Sequence, residues 1–143
     1  MRRKSITFLI LVLISVAVTP SSFAAAPVSI SKVTVQKKWD ALVALKITAK
    51  NNTSRAVQLS GEFFAVTKDG QTIGYPDFDT LMFYDAYTNP CVGNSINGTW
   101  KPKQSASETF CFALPKGKTI KKIFIASSKY STPLVSVNVN IKN

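Results

Sequence analysis

The sequence predicts an all-β protein, an immunoglobulin-like sandwich of two antiparallel sheets, and three observations carry that prediction. Short runs of alternating apolar and polar residues recur along the chain. Turn-forming residues separate them, and beyond residue 24 no window sustains the 3.6-residue period of a helix. About seven short strands at regular spacing, with turn signals between, are the pattern of a two-sheet sandwich.

Taken in order, the chain opens with an address. Arg2, Arg3 and Lys4 precede an apolar run over residues 6–18, broken only by Thr7 and Ser15. As a helix that run spans roughly 20 Å, short of the ~30 Å hydrocarbon core of a bilayer, so a cleaved signal peptide is predicted in preference to a retained anchor. Pro20 ends the helix. Cleavage is expected after Ala24, in Ser22-Phe23-Ala24, because a cut after Ala26 would place Pro27 beside the scissile bond. Residues 1–24 are thus read as the signal peptide and 25–143 as one immunoglobulin-like domain, secreted or periplasmic in a bacterium. No transmembrane segment is expected in the mature form, and no cysteine lies at the junction to carry a lipid.

Val28, Ile30, Val33 and Val35 alternate with polar residues except for a slip at Ser31-Lys32, which predicts a strand with a bulge. Ala41, Val43, Leu45, Ile47 and Ala49 share one parity and predict a half-buried strand, and Asn51-Asn52-Thr53-Ser54 reverses it. A third strand over residues 57–67 carries Phe63, Phe64 and Val66, with Gly61 read as a bulge or bend. Asp69-Gly70 predicts a hairpin through a primed two-residue turn, returning over residues 71–74. Residues 75–100 lose the alternation and read as a long irregular connection with one short strand near residues 81–84. Order returns in a strand over residues 107–114, with Phe110, Phe112 and Leu114 on one face and Cys111 on the other. Pro115-Lys116-Gly117 closes it, and strands follow over residues 120–126 and at Val135, Val137, Val139 and Ile141.

Composition limits the chemistry. The 143 residues include 18 Lys and Arg, 7 Asp and Glu and no His, for a formal charge of +11. Imidazole as general base, triad member or metal ligand is therefore excluded, and no nucleophile elbow, phosphate loop or metal cluster is present, so no enzyme activity, cofactor or metal is predicted. Asp77-x-Asp79 lacks the glycine and distal glutamate of a calcium loop. The basic balance suits an anionic surface such as lipid head groups or cell-wall polymers rather than nucleic acid, with simple solubility the blander explanation.

Cys91 and Cys111 are the only cysteines. In an oxidising compartment they are expected to form a disulfide pinning the irregular segment to a strand, and no C-x-x-C redox motif competes with that assignment. Tyr75, Asp77, Phe78, Asp79, Phe83, Tyr84, Asp85 and Tyr87 concentrate aromatic rings and carboxylates in one segment. They read as a ligand or partner loop, or else Phe78, Leu81 and Phe83 cap the open end of the sandwich while the acids keep the loop solvated; the second is favoured. Lys101, Lys103, Lys116, Lys118, Lys121 and Lys122 read as a basic rim for a polyanion or as guards of exposed strand edges, the latter favoured. The triplets beginning at Asn51, Asn52 and Asn97 match the glycosylation pattern but are read as turns.

The runs Ile47-Thr48-Ala49-Lys50-Asn51-Asn52-Thr53, Phe63-Phe64-Ala65-Val66 with Asp69-Gly70, and Lys101-Pro102-Lys103-Gln104-Ser105 leading to Phe110-Cys111-Phe112-Ala113-Leu114-Pro115 resemble bacterial secreted immunoglobulin-like domains of unknown function. That family includes the mycobacterial immunogenic extracellular protein. The resemblance spans residues 33–125 and implies the fold and an exported location. It brings no catalytic residues. The expected function is a non-catalytic exported binding or interaction module tied by one disulfide, its partner a protein or envelope component. The alternative is a structural or virulence-associated envelope factor adhering to host or anionic cell-wall surfaces.

Overall fold

The computed structural model describes residues 26–86, 90–91 and 93–143, so the leader and Tyr87 lie outside the described residues. Among the described residues, eight strands form two antiparallel sheets. The first contains β1 (Val28–Lys38), β2 (Val43–Asn51) and β6 (Ser105–Phe112), in the order β1-β2-β6. The second contains β3 (Val57–Thr67), β4 (Thr72–Ile73), β5 (Ser95–Trp100), β7 (Thr119–Ala126) and β8 (Val135–Lys142), in the order β4-β3-β7-β8 with β5 also on β3. In immunoglobulin terms β1, β2 and β6 occupy the places of strands A, B and E, and β4, β3, β7 and β8 those of C′, C, F and G. The place of strand D, beside β6, holds no described strand, because β5 pairs with β3 instead.

Side-chain period explains the core. Val43, Leu45, Ile47, Phe110 and Phe112 point inward from the first sheet and meet Leu59, Phe63, Ile123 and Ile125 of the second. The Phe63 and Phe110 ring centroids lie 4.1 Å apart across the layers. A register shift between Ile30 and Lys32 marks the bulge expected at Ser31, and another between Ile120 and Lys122 restores Ile120 and Ile123 to the same inner face.

Four expectations are corrected. Gly61 forms no bulge: the β3–β5 ladder runs unbroken from Val57↔Trp100 to Glu62↔Ser95. A Cβ there would stand 2.9 Å from the Ala126 carbonyl oxygen, so the glycine permits close backbone approach. The hairpin at Asp69-Gly70 is present but its turn is not a primed one. Gly70 N–H donates to Thr67 O at 3.0 Å and Gly70 alone takes a positive φ, 88°, giving a three-residue loop closed by Thr67 N–H to Gln71 O at 2.9 Å.

The segment near residues 81–84 is not a strand but part of a helix, α1 (Phe78–Phe83). Asp77 caps it, accepting from Thr80 N–H at 2.7 Å. Its end is a Schellman closure, with Asp85 at φ 50°, Asp85 N–H to Met82 O and Ala86 N–H to Leu81 O. Finally, the irregular connection ends early, because Ser95–Trp100 is strand β5.

Candidate functional site

Of the two readings of the aromatic segment, the capping of an open end is corrected. Leu81 is buried, but with Leu42, Ala44, Ala86 and the Cys91–Cys111 disulfide against the outer face of the β1-β2-β6 sheet, not across an open end. The reason is parity: Cys111 pairs with Ala44 on the face opposite Phe110 and Phe112, so the bridge pulls the segment onto the outside of the sandwich. The disulfide has a Cα–Cα distance of 5.4 Å and closes a 20-residue separation. Tyr75 hydroxyl donates to Cys91 O at 2.6 Å, and Tyr84 packs on the same cluster. Phe78 and Phe83, expected to cap the core, are 57% and 80% exposed, and Met82 beside them 54%. Asp77, Asp79 and Asp85, their neighbours in sequence, are exposed as well. The Thr80 N–H holds the Asp77 carboxyl below its ordinary range.

The lysines do not make one rim. β6 carries the chain from one end of the sandwich to the other, roughly 25 Å at strand rise, with Lys101 and Lys103 before it and Lys116 and Lys118 after it. Lys103 Nζ donates to Asn52 O at 2.6 Å. Lys116 pairs with Asp40 at 3.5 Å and Lys118 with Asp69 at 2.6 Å. Hydrogen bonds from Lys118 and then from the Thr67 hydroxyl lower the Asp69 carboxyl to about 2. Lys121 lies exposed and Lys122 half-buried on β7. Among the triplets, the Asn51 amide is fully buried and engaged with backbone, as a turn-forming residue should be.

A concave site lies elsewhere, between the lateral edges of β5 and β6, and holds a volume of about 310 Å³. Its origin is visible in residue size. On the inner face of the first sheet Ala49 pairs with Ala106, and on the second Gly98 pairs with Leu59, so three inward positions at this edge contribute little or no side chain. Sheets about 10 Å apart cannot close over such positions. Ile47, Phe63, Phe110 and Trp100 supply its large apolar side chains, and Ser95, Asn97, Thr99 and Gln104 its polar ones. Among the described residues, Glu108 is the one charged residue lining the groove. It pairs with Ile47, so its position belongs to the core-facing parity although the side chain is exposed.

Sequence reasoning missed this groove by reading residues 75–100 as irregular. Its signal was the alternation of Ile96, Gly98 and Trp100 with Ser95, Asn97 and Thr99, together with an acid at inward parity between Ala106 and Phe110. Among the described residues no group of three or more Cys, Asp or Glu could hold a metal, and no helix is long and apolar enough to cross a membrane. Compared with protein-family models, with curated proteins and with solved structures, the chain matches none.

Proposed function

We propose that the protein is an exported, non-catalytic binding module that takes its ligand in the groove between β5 and β6. The observation that carries this reading is the groove itself: large apolar side chains including Trp100, polar side chains and one carboxylate, at the size of a ligand site rather than a packing defect. Binding is favoured over catalysis because, among the described residues, Glu108 stands alone there, without a second titratable group to complete an acid and base pair. Export is supported by the disulfide, which persists in oxidising compartments, and by the leader signals at residues 1–24. The secreted family resemblance agrees with it.

Two measurements test the reading. N-terminal sequencing of the protein recovered from the cell envelope or medium should begin at Ala25; recovery only from cytoplasm with the leader attached and both thiols reduced refutes export. For the groove, the neutral dye Nile red should brighten with the wild-type protein. Ala106→Leu, which fills the groove, should lose at least ten-fold in affinity, while Phe83→Ser, on the exposed helix, should not. Equal dye binding by wild type and Ala106→Leu refutes the groove as the site.

A further inference from the structure

The next step rests on the groove being the binding site and concerns what occupies it. We propose that the groove receives an extended basic peptide segment, which adds an antiparallel strand to the open edge of β6 and places a Lys or Arg side chain on Glu108.

The backbone supports this first. Among the described residues, β6 pairs with β2 along one edge. Asn51 N–H donates to Gln104 O at 2.8 Å, which sets the phase of the ladder: even-numbered residues of β6 bond β2, and Ser105, Ser107 and Thr109 turn their N–H and C=O groups the other way. Ala113 N–H, donating to Gly74 O at 3.0 Å, keeps that phase past the far end. Among the described residues no strand pairs with this second edge of β6. Such a row of backbone groups is a template for strand addition, and every pairing already in the fold is antiparallel.

The protection of the edges differs in a telling way. β1, the opposite edge of the same sheet, carries Lys32, Lys37 and Lys38 and two register shifts, the usual defences against a docking strand. β6 has an unbroken register and no lysine. Its one charge is Glu108, facing inward. Side chains of an added strand opposite Ala106, Glu108 and Phe110 would enter the groove, where Ala49, Ala106 and Gly98 leave room for an apolar residue beside Trp100.

Charge then selects the occupant. Among the described residues, Glu108 has no ion-pair partner and no other charge lines the groove. A cation opposite it completes a cross-strand pair. A second copy of this chain docking β6 against β6 about a two-fold axis near the strand centre would instead bring two Glu108 carboxylates together, so the inward acid admits a basic segment and rejects self-pairing.

The test uses the oxidised, isotope-labelled protein and three synthetic heptapeptides with capped ends. One alternates threonine with leucine, lysine and leucine; one replaces the central lysine by glutamate; one is the lysine peptide N-methylated at its threonines. The lysine peptide should shift the amide resonances of Ser105, Ser107 and Thr109 and slow their hydrogen exchange. The glutamate and N-methylated peptides should bind at least ten-fold more weakly, and Glu108→Lys should reverse the preference between lysine and glutamate. If the N-methylated peptide binds as well as its parent, strand addition is overturned. If Glu108→Lys leaves the preference unchanged, or if the lysine peptide causes no shifts, the basic occupant is overturned. Each of these failures leaves the groove itself standing as long as Nile red still distinguishes wild type from Ala106→Leu.

Discussion

Asn51 shows how one polar side chain holds two loops. Its Nδ2 donates to the carbonyls of Arg55 at 2.8 Å, Trp100 at 3.1 Å and Lys101 at 3.0 Å, and its Oδ1 accepts from the backbone and hydroxyl of Thr53. The turn was legible in the Asn-rich run, but the reach to Trp100 was not, because that contact exists only once β5 and β2 are brought together in space. Asn51→Ala strands buried carbonyls and is expected to cost roughly 3 kcal/mol by chemical denaturation. Asn51→Asp should be worse at neutral pH, since a carboxylate would face those same oxygens. Asp69 makes the second residue-scale prediction. Its carboxyl titrates lower in the folded protein than in the unfolded chain, so the bond to Lys118 contributes stability that is complete above pH 3.8 and lost as pH falls through about 2. Asp69→Asn should therefore flatten the decline of melting temperature across that acid window, and added salt should flatten it in wild type, the pair being exposed.

At the scale of the element, α1 is the part the sequence concealed. Six residues are too few for a helical period to emerge from pattern, and too few for a helix to stand without tertiary support. Its one local signal was Asp77, three positions before Thr80, a capping arrangement obscured by the aromatic run around it. What holds the helix is the outer cluster of Leu42, Ala44, Leu81 and Ala86 around the disulfide. The bridge itself was legible from two cysteines following a leader-like segment, and Cys111 from its opposite parity to Phe110 and Phe112; the helix it anchors was not. Two outcomes follow from this dependence. Replacing both cysteines by serine should lower stability by about 3 kcal/mol and release amide exchange in α1 before the sheets open. Leu81→Ala should cost about 2–4 kcal/mol through the cavity it leaves, with the same early loss of protection in α1. Simultaneous exchange of helix and sheets in the double serine variant would show that the bridge supports the whole sandwich instead.

The whole molecule is a two-layer core with one side left open. Its main strands could be read because apolar parity repeats along β1, β2, β7 and β8, and the sandwich followed from their number and spacing. β5 was obscured because Gly98 and the flanking asparagines resemble a loop, and with β5 unseen the groove could not be foreseen. Because the opening arises from small residues at core-facing positions, stability and binding should separate there. Ala106 is partly exposed at the groove, whereas Ala65, on the inner face of β3, is fully buried in the same core. Ala106→Leu places apolar atoms in open space and should stabilise the fold by about 1–2 kcal/mol, following the burial of one or two methylene equivalents in a groove open to solvent. Ala65→Leu inserts the same atoms into filled volume and should destabilise by about 1–3 kcal/mol. Denaturation midpoints of the two variants, compared at constant m-value, decide the matter. Opposite signs identify the groove as volume withheld from the core, whereas two destabilised variants would mean that the layers already close around Ala106.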